Sequence, residues 1–190
     1  MLRLRLDSCA VGEDGVEALA AGLEKGLQLE ELSLEACEIT PDGCQALAGA
    51  LRGRRMRHLS LRGNAIGDEG CRVLAACAER LDLSGTGAGV RALEVLGGQQ
   101  GLVSLELFNN PKLGPPMRAW CDEMASAQWP HLEYLDLGGC GLGVEGFRSL
   151  CSALREKPGY MEVLTSLCLG ANDVDDNQES NDLSEAVMVS

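Results

Sequence analysis

"LSLRGNAIGDEGCRVLAAC", residues 59–77, places two leucines one residue apart, an asparagine three positions after the second, then a glycine and a run of regularly spaced apolar residues. The period of two in Leu59-Ser60-Leu61 predicts a short strand whose leucines point inward. Further on, Val73, Leu74 and Cys77 recur at helical spacing and predict an apolar helix face. A strand followed by a helix within so few residues raises the question of whether the stretch is a site or one copy of a building unit.

It is a copy. "LRLDSCAVGEDGVEALAAGL" from Leu4, "LSLEACEITPDGCQALAGAL" from Leu32 and "LDLGGCGLGVEGFRSLCSAL" from Leu135 repeat the pattern, and weaker copies start at Leu81, Leu105 and Leu167. Seven units therefore predict an α/β solenoid of parallel strands joined by right-handed crossovers. Three positions after the second leucine stand Cys9, Cys37, Asn64, Thr86, Asn110, Cys140 and Asn172. There the chain must leave the strand inside the core, so a small polar side chain is expected to satisfy backbone groups that would otherwise be buried unpaired. These residues should form a ladder.

The pattern L-x-L-x-x-(N/C)-x-(aliphatic), with a later glycine and leucine, resembles the leucine-rich repeat family, and units of roughly 27 to 29 residues with a full helix resemble its ribonuclease-inhibitor-type subclass. That subclass includes ribonuclease inhibitor, the repeat region of nucleotide-binding innate immune receptors and Ran GTPase-activating protein. The resemblance covers Leu2 to Asn172 and implies a curved horseshoe, strands on the concave face and helices on the convex one, acting as a scaffold for protein binding. The solenoid is assigned to residues 1–174, and 175–190 to an acidic C-terminal segment with a short terminal helix. The unit at Leu81 is expected to lose most of a helical turn. The unit at Leu105 carries an insertion-like stretch in which Pro115 and Pro116 suit a helix start, and Met117, Trp120, Cys121 and Met124 supply an apolar face. A break in curvature is expected between the fourth and sixth units. Neither end shows a polar cap, which suggests a segment of a longer repeat protein.

Composition agrees with a repetitive core. The chain has 190 residues, 45% of them hydrophobic but only 3% aromatic, so the interior must be filled by small and branched aliphatic side chains. A net charge of −13 argues against nucleic acid and anionic membrane as partners, since both require a clustered positive surface. No run of about 18 apolar residues occurs, so no transmembrane helix is expected, and the charged start does not read as a signal peptide. A cytoplasmic chain is the expectation, with the nucleus as the alternative. Its nine scattered cysteines then read as reduced thiols. Cys71 and Cys77 lack the paired spacing of a zinc site, so no metal is expected.

Alternation along each strand puts the residues beside the inward leucines on the concave face. Candidate partner-binding residues are Arg3, Arg5, Glu31, Glu35, His58, Arg62, Arg80, Asp82, Glu106, Phe108, Tyr134 and Asp136, with sign alternating along the arc. Phe108 and Tyr134 are read as aromatic anchors, because exposed aromatics in so aromatic-poor a chain are not explained by solubility. Arg52, Arg54, Arg55 and Arg57 form a basic cluster before the third strand, read first as a solvated loop. Trp120 is read as core, and Trp129 as either core or interface. His58 and His131 are read as equivalent positions without an acid and nucleophile beside them, and no glycine-rich phosphate loop is present. The expected function is a non-enzymatic protein-interaction module for a protein partner, with no cofactor and no small-molecule substrate. The alternatives are a GTPase-activating role through Arg62 and Asn64, an inhibitor of a basic enzyme, or a structural part of a larger receptor.

Overall fold

A computed structural model describes residues 2–114, 117, 121, 129–156 and 163–173. Seven short strands, β1 (Arg3–Arg5), β2 (Glu31–Ser33), β3 (Met56–Ser60), β4 (Ala78–Asp82), β5 (Ser104–Glu106), β6 (Tyr134–Asp136) and β7 (Ser166–Cys168), follow the chain. They pair in that same order as one parallel sheet. Between them run α1 (Gly12–Glu24), α2 (Pro41–Ala50), α3 (Gly67–Leu74), α4 (Val90–Gly97) and, after β6, α5 (Gly143–Glu156). The connection after β5 opens with a 3₁₀ turn at Pro111–Leu113, beyond which Met117 and Cys121 are helical and buried. Pro115, Pro116, Trp120, Met124 and the acidic segment 175–190 lie outside the described residues.

The strands are short because only the L-x-L core of each unit has period two. Leu32, Leu59, Leu81, Leu105 and Leu135 fall on one line of the sheet, and all are buried against the helices. Full burial of such a side chain contributes about 1.5–3 kcal/mol. Leu4 and Leu167, at the sheet edges, are only half-buried because each has a neighbouring unit on one side alone.

The polar ladder forms, and it alternates. Asn64 accepts the N–H groups of Cys37 and Ile39 on its Oδ1, both at 2.9 Å, and donates from Nδ2 to the carbonyls of Leu34 at 2.7 Å and Leu61 at 2.8 Å. Asn110 does the same for Thr86 and Ala88 and for the carbonyls of Leu83 and Leu107, and Asn172 for Cys140 and Leu142 and for Leu137 and Leu169. Each asparagine thus serves the turn of the unit before it. The units in between need only one donor: Cys37 reaches Leu6 O, Thr86 reaches Leu83 O and Cys140 reaches Leu107 O. Cys9 departs from the expectation. Its thiol is exposed and contacts only Asp7 O at 3.7 Å, because β1 is an edge strand with no earlier carbonyl beside it.

The fourth unit is short, as the sequence suggests: α4 has 8 residues against 13 in α1 and 10 in α2, and α3, also with 8, is equally reduced. The third unit is the shortest, with Leu59 only 22 residues from its next equivalent, Leu81. Pairing through β4, β5 and β6 is unbroken, with backbone hydrogen bonds holding the strand spacing. Trp129 proves to be core: it is buried, and its Nε1–H donates to Leu96 O at 2.6 Å.

Replacing Asn110 by Ala strips four buried backbone groups of their partner and should cost about 3–5 kcal/mol, whereas Cys140→Ala, which removes one thiol donor, should cost about 1–2 kcal/mol. Urea unfolding at neutral pH measures both, and equal losses would contradict the division of labour between asparagine and cysteine.

Candidate binding face

Strand register turns the sequence list of surface residues into three rows. The first runs Arg3, Glu31, His58, Arg80, Ser104, Tyr134 and Ser166, and the second runs Arg5, Ser33, Ser60, Asp82, Glu106, Asp136 and Cys168. The third contains Asp7, Glu35, Arg62, Ser84, Phe108, Gly138 and Gly170. It is kept in step by the N–H after each member, which donates to the carbonyl of the next member, as Gly63 to Ser84 and Gly85 to Phe108. To make that bond the chain turns left-handed at the same point of every unit, at Ser8, Ala36, Gly63, Gly85, Asn109, Gly139 and Ala171.

Charge does not alternate along this face as expected; it segregates. Cations occupy the β1 end and the first row, where Arg3 pairs with Glu31 at 3.1 Å. Carboxylates collect in the second row, where Asp82, Glu106 and Asp136 stand directly opposite one another on adjacent strands. Two of the three have local work. Asp82 Oδ1 accepts the Ser84 N–H at 2.9 Å and Asp136 Oδ1 accepts the Gly138 N–H at 2.8 Å, so each closes the turn that follows its own strand. Ser60 donates between Glu35 and Asp82, and Ser33 contacts Asp7 and Glu35, hydroxyls that tie the acidic residues of neighbouring units together. Nothing in a single strand marks these serines; only their alignment across strands does.

Glu106 is different. Among the described residues its carboxylate makes no hydrogen bond and no ion pair. Burial, and then the charges of Asp82 and Asp136, raise its carboxyl above the ordinary glutamate value, against an opposing pull from Arg62. Two residues on, Phe108 is 38% exposed. Its ring leans on the neighbouring unit, where a Cβ built on Gly138 would meet its Cδ2 at 2.9 Å. Tyr134 is half-buried, its hydroxyl 3.5 Å from the Cys168 thiol. The two aromatics do not form one patch: Tyr134 registers with Ser104, four residues from Phe108, or about 13 Å along the strand.

Other sequence candidates are resolved by position. His58 lies in β3 and shares the row of Tyr134, while His131 precedes β6 by three residues and matches Arg55, so the histidines are not equivalent. Asn64 is buried in the ladder, which removes it from any surface role. The basic cluster is only partly a solvated loop. Arg54 donates to Leu23 O and Leu27 O, Arg55 donates to Ala76 O, and Arg57 pairs with Glu30 at 3.7 Å, so these side chains bind the lower edges of neighbouring units. Cys44 and Cys71 are pushed up to about 12, and Cys77 and Cys140 to about 11, all by burial, which leaves them protonated and poor nucleophiles at neutral pH. Among the described residues no group of three His, Cys, Asp or Glu is placed to hold a metal ion, and no helix is long and apolar enough to cross a membrane.

A parallel sheet built one strand per unit, with a buried asparagine, cysteine or threonine at every turn after the first, defines a leucine-rich repeat solenoid. Comparison with known sequences agrees: a leucine-rich repeat family model matches residues 29–48, 55–75 and 130–151, and this chain belongs to that family, in its ribonuclease-inhibitor-type branch. It is 33% identical over 187 residues to NACHT, LRR and PYD domains-containing protein 5 of Bos taurus, across 91% of this chain and 16% of that protein. It is 32% identical over 186 residues to ribonuclease inhibitor of Sus scrofa, across 91% of this chain and 40% of that protein. The mouse ribonuclease inhibitor is 30% identical over 185 residues. The chain therefore spans well under half the length of each of these relatives.

Because ionisation of Glu106 is disfavoured in the folded state, its neutral form stabilises the fold below the unfolded pKa, and that contribution is lost as pH rises through the raised folded pKa. Glu106→Gln should accordingly raise the urea midpoint at pH 7 and leave it unchanged near pH 3. A midpoint that falls at pH 7 would show that the charge is stabilised rather than opposed.

Proposed function

We propose that this chain is a protein-interaction module that takes a protein partner on the open face of its sheet, opposite the helices. The observation that carries the reading is Phe108: a large apolar ring held out at 38% exposure beside an unpaired half-buried carboxylate. Exposed aromatics beside a carboxylate row combine an anchor with charge selection, the pairing typical of binding hot spots. Around it, Glu106, Asp136 and Arg62 set the local charge, and Tyr134 contributes a second contact farther along the face. Arg3, Arg5, Glu31, His58 and Arg80 form the outer part of the surface, where ion pairs are worth little individually. The reading is supported by the family, whose repeats present such faces, and by the relatives named as ribonuclease inhibitor, a protein whose name denotes action by binding.

The test is affinity capture from a cell lysate with the wild-type chain beside a Phe108→Ala, Tyr134→Ala double variant, after circular dichroism shows both folded. Partners retained by wild type should be lost by the variant, corresponding to at least about thirtyfold weaker binding for an anchor worth about 2 kcal/mol. An identical set of captured proteins would place the binding surface elsewhere.

A further inference from the structure

We propose that the centre of the open face is a receptor for one lysine or arginine side chain of a protein partner, formed by Glu106 with Asp82, Asp136 and Ser84. The inference rests on the protein-binding reading above and names what that face selects.

Like charges directly opposite on neighbouring strands destabilise a sheet, and here three carboxylates stand opposite in succession on β4, β5 and β6. Asp82 and Asp136 are explained by the turns they close. The Glu106 carboxylate is not, since it has no hydrogen bond or ion pair among the described residues. A second, independent observation lies beside it. Ser84 is 2% exposed, and its hydroxyl has no hydrogen-bond partner. It follows Asp82 by two residues and so shares its face, in the row between Arg62 and Phe108. A buried hydroxyl left unpaired costs about 1–3 kcal/mol, and an unneutralised carboxylate adds to that cost.

One kind of group answers both. An ammonium or guanidinium carries the positive charge that Glu106 lacks and N–H donors for the Ser84 oxygen and for the remaining oxygens of Asp82 and Asp136. Its aliphatic stem would lie on Phe108, the exposed apolar surface at the rim, as long cationic side chains do on aromatic rings. A metal ion fits less well, because no group of three His, Cys, Asp or Glu among the described residues is placed to hold one. Arg62 is the nearest cation acting on Glu106, but it is exposed and in the neighbouring row, so it does not fill the place.

The experiment is a titration of the ¹⁵N-labelled full chain with acetyl-tetralysine amide, followed by amide chemical shifts. Saturable shifts should concentrate at Ser84, Glu106, Phe108 and Gly138. Glu106→Gln should weaken binding at least fivefold, while Glu17→Gln, the same change of charge on the exposed side of α1, should weaken it less than twofold. Ser84→Ala should weaken binding about threefold while leaving the urea midpoint equal or higher. Shifts spread over the whole acidic surface, equal effects of the two glutamine variants, or the same shifts produced by calcium chloride would overturn the proposal. Loss of captured partners in the Phe108, Tyr134 variant with no localised response to tetralysine would reject this receptor and keep the binding module; the reverse result would reject the aromatic siting alone.

Discussion

The backbone of this protein turns out of its sheet inside its own core, and in every second unit the N–H groups at that turn take their partner from the following unit. Everything else depends on how they are satisfied. At Cys37 and Ile39 the partner is Asn64 of the following unit, and the same relation links Thr86 and Ala88 to Asn110 and Cys140 and Leu142 to Asn172. A unit of this kind is therefore not stable in isolation. It borrows its polar closure from its neighbour, as its leucines borrow their apolar closure, and stability belongs to the array.

That dependence also dictates register. An asparagine that holds two N–H groups and two carbonyls across a strand boundary permits one alignment, and a slip of one residue would expose the buried leucines as well. Once the alignment is set, the open face has no freedom left: Asp82, Glu106 and Asp136 come opposite each other whatever their mutual repulsion. The fold can carry this load because two of the carboxylates recover energy from backbone N–H groups, and because serines from adjacent strands share protons with others in the acidic set. The chemistry of the face is thus a consequence of the core beneath it.

Much of this was legible in the chain. The leucine pairs, the ladder positions and the membership of the three rows all follow from a period of two within strands and a recurring spacing between them, both of which are properties of a linear sequence. The equivalence of His58 and His131 and the alternation of sign do not hold in the structure, for one shared reason: each compares residues in different units, and the comparison needs the register. Arg54 and Arg55 looked like a solvated cluster because their acceptors, the carbonyls of Leu23, Leu27 and Ala76, are backbone groups of other units. Trp129 is core because its indole N–H donates to Leu96 O, a backbone group of another unit that its own neighbours in sequence do not reveal.

The sequence by itself determined the architecture and the side of the sheet on which each residue stands, because local periodicity and a repeated buried polar residue leave one arrangement that satisfies both apolar and hydrogen-bonding demands. The tertiary structure alone decided which of the surface residues are occupied with closing turns and which remain unpaired. Asp82 and Asp136 accept the N–H two residues further along their own units, whereas the Glu106 carboxylate and the Ser84 hydroxyl, set among residues of neighbouring units, are left without a hydrogen-bond partner among the described residues.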